Sequence, residues 1–204
     1  MLRTCCVALS IFASAIITSA RADEFPIKKF SLFTYVVDYE ASWSPDSRQI
    51  VLVSSRHGGM KVHAMNADSA SHGSDMRQLT FGSDEDDSPA WSPDGKKIAF
   101  VSIRAGVSQI FVMNADATND RNISGENTLD GWPAWSNDGK RVVFSRRVND
   151  RFQLFVMNRD GSGVKQLTDA AGEFVNPRWS PDGTKIMCAR RLGDMNLVIF
   201  PTPK

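Results

Sequence analysis

One short motif occurs four times in this chain of 204 residues, and it constrains the fold more than any other feature. In each copy a tryptophan precedes Ser, then Pro or Asn, then Asp, then Gly or Ser. The four tryptophans are Trp43, Trp91, Trp135 and Trp179, with spacings of 48, 44 and 44 residues. A fixed period of this length is typical of stacked repeats, each of which is one supersecondary unit.

A second landmark fixes the register of the repeats. A Met-Asn pair begins 22 residues after each of the first three tryptophans, at Met65, Met113 and Met157. The extra residues of the first repeat therefore lie beyond Met65. We expect repeats over approximately residues 38–80, 81–124, 125–168 and 169–204.

The pattern within each repeat is that of a four-stranded antiparallel sheet. Pro and Asp-Gly supply turn geometry after the Trp strand, and the next strand alternates apolar and polar residues. The third strand, at 110–113 and 154–157, is apolar on both faces and must be covered on both sides. Stacking the sheets around an axis achieves this, so the sequence predicts an all-β fold, a β-propeller of about four blades. An up-and-down barrel and a linear solenoid are the alternatives.

The run from Trp91 to Phe100, followed by residues 110–116, resembles the repeat of TolB-type propellers. The resemblance covers nearly all of residues 23–204. It implies four-stranded blades whose repeat tryptophans lie in the core, and a binding role beside a protein partner near the cell envelope. Related propellers also occur in oligopeptidases and in some polysaccharide lyases.

Closure of the propeller is a separate question. The fourth repeat has no counterpart of the strand that ends the third repeat at Gln166–Thr168. Phe30–Val37 is rich in aromatic and β-branched residues, and we expect it to complete the last blade and to join the two ends of the chain. An open array, a dimer and a truncated propeller are the alternatives.

The first 22 residues have the features of a secretory signal peptide. Arg3 gives a positive start, residues 5–17 are mostly apolar, and Ala22 ends an Ala-Arg-Ala cleavage site. The apolar stretch is shorter than the roughly 20 residues that span a bilayer, so no membrane span is expected. We predict cleavage after Ala22 and a periplasmic or secreted domain over 23–204.

Acidic residues fall into two groups. One recurs just before the repeat tryptophan, at Asp38, Asp86, Asp130 and Glu173. Because repetition in every blade is typical of a structural cap, we expect these carboxylates to bond loop amides within their own blades. The other group breaks the repeat and is the better candidate for binding a partner: Asp84, Glu85 and Asp87.

Three further residues are candidates for partner binding. Arg146 and Arg147 fit an anionic group such as a carboxylate or a sugar acid, or else they are solvated hairpin ends. Trp132 precedes a proline outside the repeat register, and it either contacts a partner or packs locally.

No residue pattern predicts catalysis, a metal or a cofactor. The chain has neither a Gly-x-Ser-x-Gly nor a His-Glu-x-x-His motif. His57, His63 and His72 share the first repeat, but His63 aligns with Phe111, Phe155 and Ile199, so zinc is not expected. Cys188 aligns with Phe100 and Phe144 and is expected to be a buried hydrophobe. A net charge of +1 without long blocks of one sign argues against nucleic acid as a partner.

These observations predict an exported, TolB-like, non-catalytic scaffold that binds a protein partner at the cell envelope. Two alternatives stay open. One is a propeller that binds glycans or acts like a polysaccharide lyase, and the other is a truncated propeller without activity.

Overall fold

The computed structural model describes residues 36–68, 74–125 and 127–202. The regular structure of these residues is entirely β, in four antiparallel sheets that stack as the blades of a propeller. The prediction of an all-β propeller with four blades is confirmed. Within the described residues, no helix has the length and apolar character needed to cross a membrane.

The strands follow one another in chain order within each blade. Blade 1 contains β1 (Asp38–Trp43), β2 (Gln49–Ser54), β3 (Lys61–Asn66) and β4 (Arg77–Gln78). Blade 2 contains β5 (Glu85–Trp91), β6 (Lys97–Arg104), β7 (Val107–Asn114) and β8 (Arg121–Asn122). Blade 3 contains β9 (Asp130–Trp135), β10 (Arg141–Val148), β11 (Arg151–Asn158) and β12 (Lys165–Gln166). Blade 4 contains β13 (Glu173–Trp179), β14 (Lys185–Leu192) and β15 (Asp194–Pro201).

The repeated Ser-x-Asp-x motif forms the turn between the first two strands of each blade. In blade 2, the Ser92 hydroxyl donates to Asp94 Oδ1 at 2.6 Å and accepts from the Lys97 amide at 2.9 Å. The same Asp94 oxygen accepts from the Lys96 amide at 3.0 Å. Gly95 follows at φ +69°, a conformation that L side chains adopt only with strain. In blade 1 the equivalent residue is Ser47, at φ +59°.

Neighbouring blades are joined by the repeat tryptophans. Trp135 Nε1 donates to the carbonyl of Ala90 at 3.1 Å, and Trp179 Nε1 donates to that of Ala134 at 3.2 Å. Trp91 is buried like Trp135, although its Nε1 has no hydrogen-bond partner, and Trp179 is half-buried. The expectation that all four tryptophans are core residues is wrong for Trp43, which is 59% exposed. Among the described residues, no sheet covers the face of blade 1 on which Trp43 lies.

The hydrophobic core is divided into three clusters, one at each junction between blades. The cluster between blades 1 and 2 contains Val51, Val62, Ala64, Leu79, Trp91, Ile98, Phe100, Phe111 and Met113. The next contains Ala99, Ile110, Val112, Ile123, Trp135, Val142, Phe144, Phe155 and Met157. The last contains Ala134, Val143, Leu154, Phe174, Ile186 and Cys188. Each two-sided apolar strand is therefore covered by a neighbouring blade.

The last hairpin corrects the alignment of β15 with the third strands of the other blades. Leu192 pairs with Asp194 across a single residue, whereas Arg104 pairs with Val107 across two. The shorter hairpin places Val198, and not Ile199, opposite Cys188 and in the position of Phe111. Cys188 is buried, as expected, and its burial raises the pKa of the thiol to about 11.

The segment that was expected to close the ring is described only at its end. Blade 4 has three described strands. Of Phe30–Val37, only Val36 and Val37 are described, and the Val37 amide donates to Ser55 Oγ at 3.0 Å while its carbonyl accepts from the Ser55 amide at 3.1 Å. These contacts are to blade 1. The remainder of that segment, the predicted signal peptide and His72 lie outside the described residues.

Replacing Ser47 by glycine is expected to stabilise the protein. Ser47 is the only serine at a turn position that holds glycine in the other three repeats, and a left-handed backbone costs an L residue about 1–2 kcal/mol. After the entropy cost of glycine, we expect S47G to raise the free energy of unfolding by about 0.5–1 kcal/mol. Urea denaturation of S47G and wild type measures this difference in the free energy of unfolding. The converse variant G139S, at φ +66°, should lower stability by a similar amount, and equal stabilities for all three proteins would contradict this account.

The repeat tryptophans should differ in their contributions to stability. W91A removes a side chain that is 9% exposed from the junction between blades 1 and 2 and is expected to cost about 3–5 kcal/mol. W43A removes a 59% exposed side chain and is expected to cost about 1 kcal/mol. Thermal and chemical denaturation of the two variants gives the comparison. A cost for W43A as large as that for W91A would show that a further part of the protein covers Trp43.

Candidate functional site

The first strand of each blade lies closest to the propeller axis. β5 packs on β1, β2 and β3 of the preceding blade, and β9 and β13 pack in the same way on blades 2 and 3. The short last strands, β4, β8 and β12, lie at the outer edges of their sheets. Side chains that project from the first strands toward the axis are therefore the ones that meet between blades.

Each first strand contains a β-bulge three residues before its tryptophan. The pairing register with the second strand shifts at this point in all four blades. The bulge residues are Glu40, Ser88, Trp132 and Asn176, with φ of +49°, +49°, +52° and +56°. None of them is glycine, so each carries conformational strain of the kind that concentrates at functional positions. The sequence analysis placed Trp132 outside the repeat register. The structure corrects this, because Trp132 occupies a position that all four blades share.

Polar side chains from blades 1 and 2 meet beside these bulges. The Tyr39 hydroxyl donates to Asp87 Oδ2 at 3.3 Å, and the Ser88 hydroxyl donates to Glu40 Oε2 at 2.7 Å. The Ser88 amide also donates to Asp87 Oδ1 at 2.6 Å. Glu40 and Asp87, which we name the axial carboxyl pair, are both half-buried. The Ser88 hydroxyl and the Tyr39 phenol thus hold the carboxyl groups of Glu40 and Asp87 at the junction of blades 1 and 2.

Glu40 of the axial carboxyl pair has an unusual affinity for protons. Burial, reinforced by the hydrogen bond and the negative charge of Asp87, raises the pKa of Glu40 to about 7. Arg178, from the first strand of blade 4, acts in the opposite direction. Burial and the charge of Asp87 also raise the pKa of Tyr39. Glu40 therefore changes its protonation state near neutral pH, and its deprotonated form can accept a positively charged group.

One of the three predicted acidic residues belongs to this pair, and the other two precede it in the chain. Asp87 belongs to the pair itself, while Glu85 is exposed at the start of β5. The Asp84 side chain is 37% exposed, with Oδ2 at 3.7 Å from Arg104 Nε. Asp87 therefore lies at the junction of blades 1 and 2, whereas Asp84 is half-buried and Glu85 is exposed.

The recurring aspartates have a different role from the one expected. They form ion pairs instead of capping loop amides: Asp38 with Arg56 at 3.1 Å, Asp86 with Lys61 at 3.2 Å, and Asp130 with Arg146 at 2.8 Å. Lys61 belongs to blade 1 and Asp86 to blade 2, and both side chains are almost fully buried. This pair therefore links two blades, and removing one partner would leave a buried charge. In blade 4, Glu173 contacts Arg191 on the surface.

The two predicted arginines do not form a joint site. Arg146 pairs with Asp130, donates to the carbonyl of Ser124 at 2.6 Å and lies 5.2 Å from the centre of the Phe144 ring. Arg147 is exposed and lies 3.2 Å from Asp150. Successive residues of a strand project to opposite faces, so the two guanidinium groups are separated.

Trp132 combines local packing with an accessible surface. Its ring packs edge to face on Phe152 with 5.3 Å between centroids, and the residue is half-buried. A half-buried aromatic side chain of this kind leaves part of its apolar ring accessible.

The histidines of the first repeat interact with each other. His57 Nδ1 lies 2.9 Å from His63 Nε2, and His63 Nδ1 bonds the carbonyl of Lys61 at 3.0 Å. Burial lowers the pKa of His63. Within the described part of the chain, no group of three or more His, Cys, Asp or Glu side chains is arranged to hold a metal ion.

Reasoning from the sequence missed several residues of this site: Tyr39, Glu40, Ser88, Asn176 and Arg178. One signal was available for the bulge residues. The position three residues before the tryptophan holds Glu, Ser, Trp and Asn in turn, whereas the position two residues before it is proline in three of the four repeats. A variable position inside a regular repeat is where a scaffold can carry specificity.

Stability should depend on pH through Glu40. The folded pKa of about 7 is above the ordinary value of 4.5, so the stability that protonated Glu40 contributes is complete below pH 4.5 and is lost as the pH rises through 7. We expect the E40Q variant to lack this decline. Urea denaturation from pH 4.5 to pH 8 tests this, with E85Q as the matched control on the exposed strand end. If wild type and E40Q have parallel pH profiles, the assignment is wrong.

Comparisons with known proteins agree with the fold. The family model of the TolB beta propeller domain matches residues 27–200. A search of curated proteins gave no significant match. Among solved structures, a putative TolB from Agrobacterium tumefaciens superposes with a TM-score of 0.72 at 21% identity, over 81% of this chain and 62% of that protein. TolB from Acinetobacter baumannii superposes with a TM-score of 0.68 at 22% identity, over 79% of this chain and 40% of that protein.

A peptidase is among the similar structures. A puromycin-hydrolyzing peptidase from Mycobacterium tuberculosis superposes with a TM-score of 0.66 at 17% identity, over 81% of this chain and 28% of the peptidase. This chain therefore spans less than two thirds of each of these proteins, and identities this low establish only a shared fold. Because the family match extends over most of the chain and the blades have the expected architecture, the protein belongs to the TolB β-propeller domain family.

Proposed function

We propose that this protein is an exported, non-catalytic propeller that binds a protein partner at the cell envelope. The observation that carries the proposal is the set of bulge residues on the first strands. The framework residues repeat from blade to blade, whereas the bulge position holds Glu40, Ser88, Trp132 and Asn176 in strained conformations. Strain that is kept at a variable position indicates selection for what these side chains contact.

The chemistry of the site favours a partner with a basic side chain. Glu40 and Asp87 supply carboxyl oxygens at the junction of blades 1 and 2, and Asp84 and Glu85 extend the negative surface away from it. A Lys or Arg of a partner can form charge-assisted hydrogen bonds there. Trp132 offers an aromatic anchor of the type enriched at protein interfaces.

Features of the described residues support a role without catalysis. Cys188 is buried and its raised pKa disfavours the thiolate, so it is a poor nucleophile. His63 is fully buried and bonded to His57 and to a backbone carbonyl. Arg146 is committed to Asp130. These side chains serve the framework of the propeller.

Location at the envelope rests on two supports. The first 22 residues have the charge and apolar pattern of a secretory signal, and the chain belongs to the TolB β-propeller domain family. An exported propeller meets its partner outside the cytoplasm, where the axial surface is free to bind.

Capture from an envelope extract tests the proposal. The immobilised chain from residue 23 onward is compared with the triple variant D84A/E85A/D87A, and bound proteins are quantified by mass spectrometry. We expect a specific partner whose recovery falls at least about tenfold in the triple variant, because losing two charge-assisted bonds costs more than about 1.4 kcal/mol. The matched control D68A/D169A/D194A removes three exposed acids elsewhere and should retain the partner. Equal capture by both variants would reject the site.

Two further measurements refine the test. W132G should lose the partner while keeping the fold, because glycine adopts φ +52° without strain. Binding of a basic partner should strengthen as the pH rises through 7 in wild type and should not in E40Q, because only a deprotonated Glu40 attracts a cation. If the purified protein retains glycans but no protein, the scaffold proposal fails and the glycan alternative replaces it.

A further inference from the structure

The chain forms the same blade-to-blade junction three times. We call the face of a blade that carries its repeat tryptophan the leading face, and the opposite face the trailing face. Between blades 2 and 3, Ala99, Ile110 and Val112 of the trailing face pack on Trp135 and Phe144 of the leading face. The junction buries apolar side chains and is fixed by the indole hydrogen bond to the preceding blade.

No other described part of the chain covers the trailing face of blade 4. Strand register places Met187, Leu197 and Ile199 at the positions of Ala99, Ile110 and Val112. In blade 2 these three residues are 0%, 0% and 3% exposed, whereas in blade 4 they are 41%, 72% and 65% exposed. Contiguous exposed apolar side chains of this kind mark interaction surfaces.

Blade 1 presents the complementary leading face. Trp43 is 59% exposed, while Trp91 and Trp135 at the same position are 9% and 7% exposed. In the described residues, the leading face of blade 1 and the trailing face of blade 4 do not pack on each other. Within the ranges that the structure describes, both halves of a junction that the chain builds three times are therefore uncovered.

Blade 4 also carries polar groups at the positions that form hydrogen bonds in the three junctions. Lys61, Gln109 and Gln153 share one strand position, and each donates to a main-chain carbonyl in the segment that leads into the next blade: Asp84, Gly125 and Ala170 respectively. Asn196 occupies this position in blade 4. The carbonyl of Arg178 has the position of those of Ala90 and Ala134, which accept from an indole.

We propose that copies of this chain associate head to tail, with the trailing face of blade 4 in one copy packed on the leading face of blade 1 in the next. Trp43 then donates to the carbonyl of Arg178, and Leu197 and Ile199 are buried. A second copy is the occupant that fits, because the complementary face is a junction surface which the chain itself carries. The contact is heterologous, so it either closes into a ring or continues into a longer assembly. This inference does not depend on the proposed partner binding.

Sedimentation velocity of the purified chain from residue 23 onward tests the inference. Wild type should associate as its concentration increases. L197E and W43K, each of which damages one face, should remain monomeric, since an unpaired charge at the junction weakens association by at least about tenfold. F81E replaces a 69% exposed side chain outside both faces and should associate like wild type.

Mixing the two variants gives the sharpest result. L197E keeps an intact leading face and W43K keeps an intact trailing face, so an equimolar mixture should form dimers and nothing larger. Circular dichroism and thermal denaturation confirm that each variant is folded. The inference is overturned if wild type is monomeric at every concentration, if either variant associates with itself, or if the mixture stays monomeric.

Discussion

The whole structure depends on the burial of strands that are apolar on both faces. A strand such as β7 or β11 cannot be covered by its own sheet, because the two faces point away from each other. Only a neighbouring blade supplies the second cover, and the indole hydrogen bonds of Trp135 and Trp179 hold the neighbours in register. A single blade cannot bury its apolar faces alone, so neighbouring blades stabilise one another through the junctions between them.

The burial of the junctions explains why the candidate site lies at the bulges of the first strands. The repeated apolar residues are buried in the junctions between blades. The buried pair of Lys61 and Asp86 also lies at a junction, and its desolvation is tolerable only because each charge has its partner. The bulge in each first strand interrupts the alternating pattern at one residue, which differs from blade to blade. There the blades contribute different groups, and Glu40 and Asp87 share an environment that neither sheet could create alone.

Much of the architecture could be predicted from the sequence, and the failures have definite causes. The turns were predictable because Ser, Asp and Gly bond within a few residues of each other. The paired aspartates were misassigned because their partners, Arg56, Lys61 and Arg146, lie 16–25 residues away. The position of Trp132 was misjudged because the bulge is invisible to a simple alternating pattern. Val198 was placed one residue out of register because the last hairpin is one residue shorter.

The sequence by itself determined the period, the turn chemistry, the two-sided apolar strands and hence the propeller, because these follow from steric preferences and hydrogen bonds between residues close along the chain. Only the tertiary structure decided which tryptophan is exposed, which carboxylates are paired with cations, and which meet at the axis. Burial and electrostatics depend on atoms brought together from different blades, and the spacing of residues along one repeat contains no measure of that proximity.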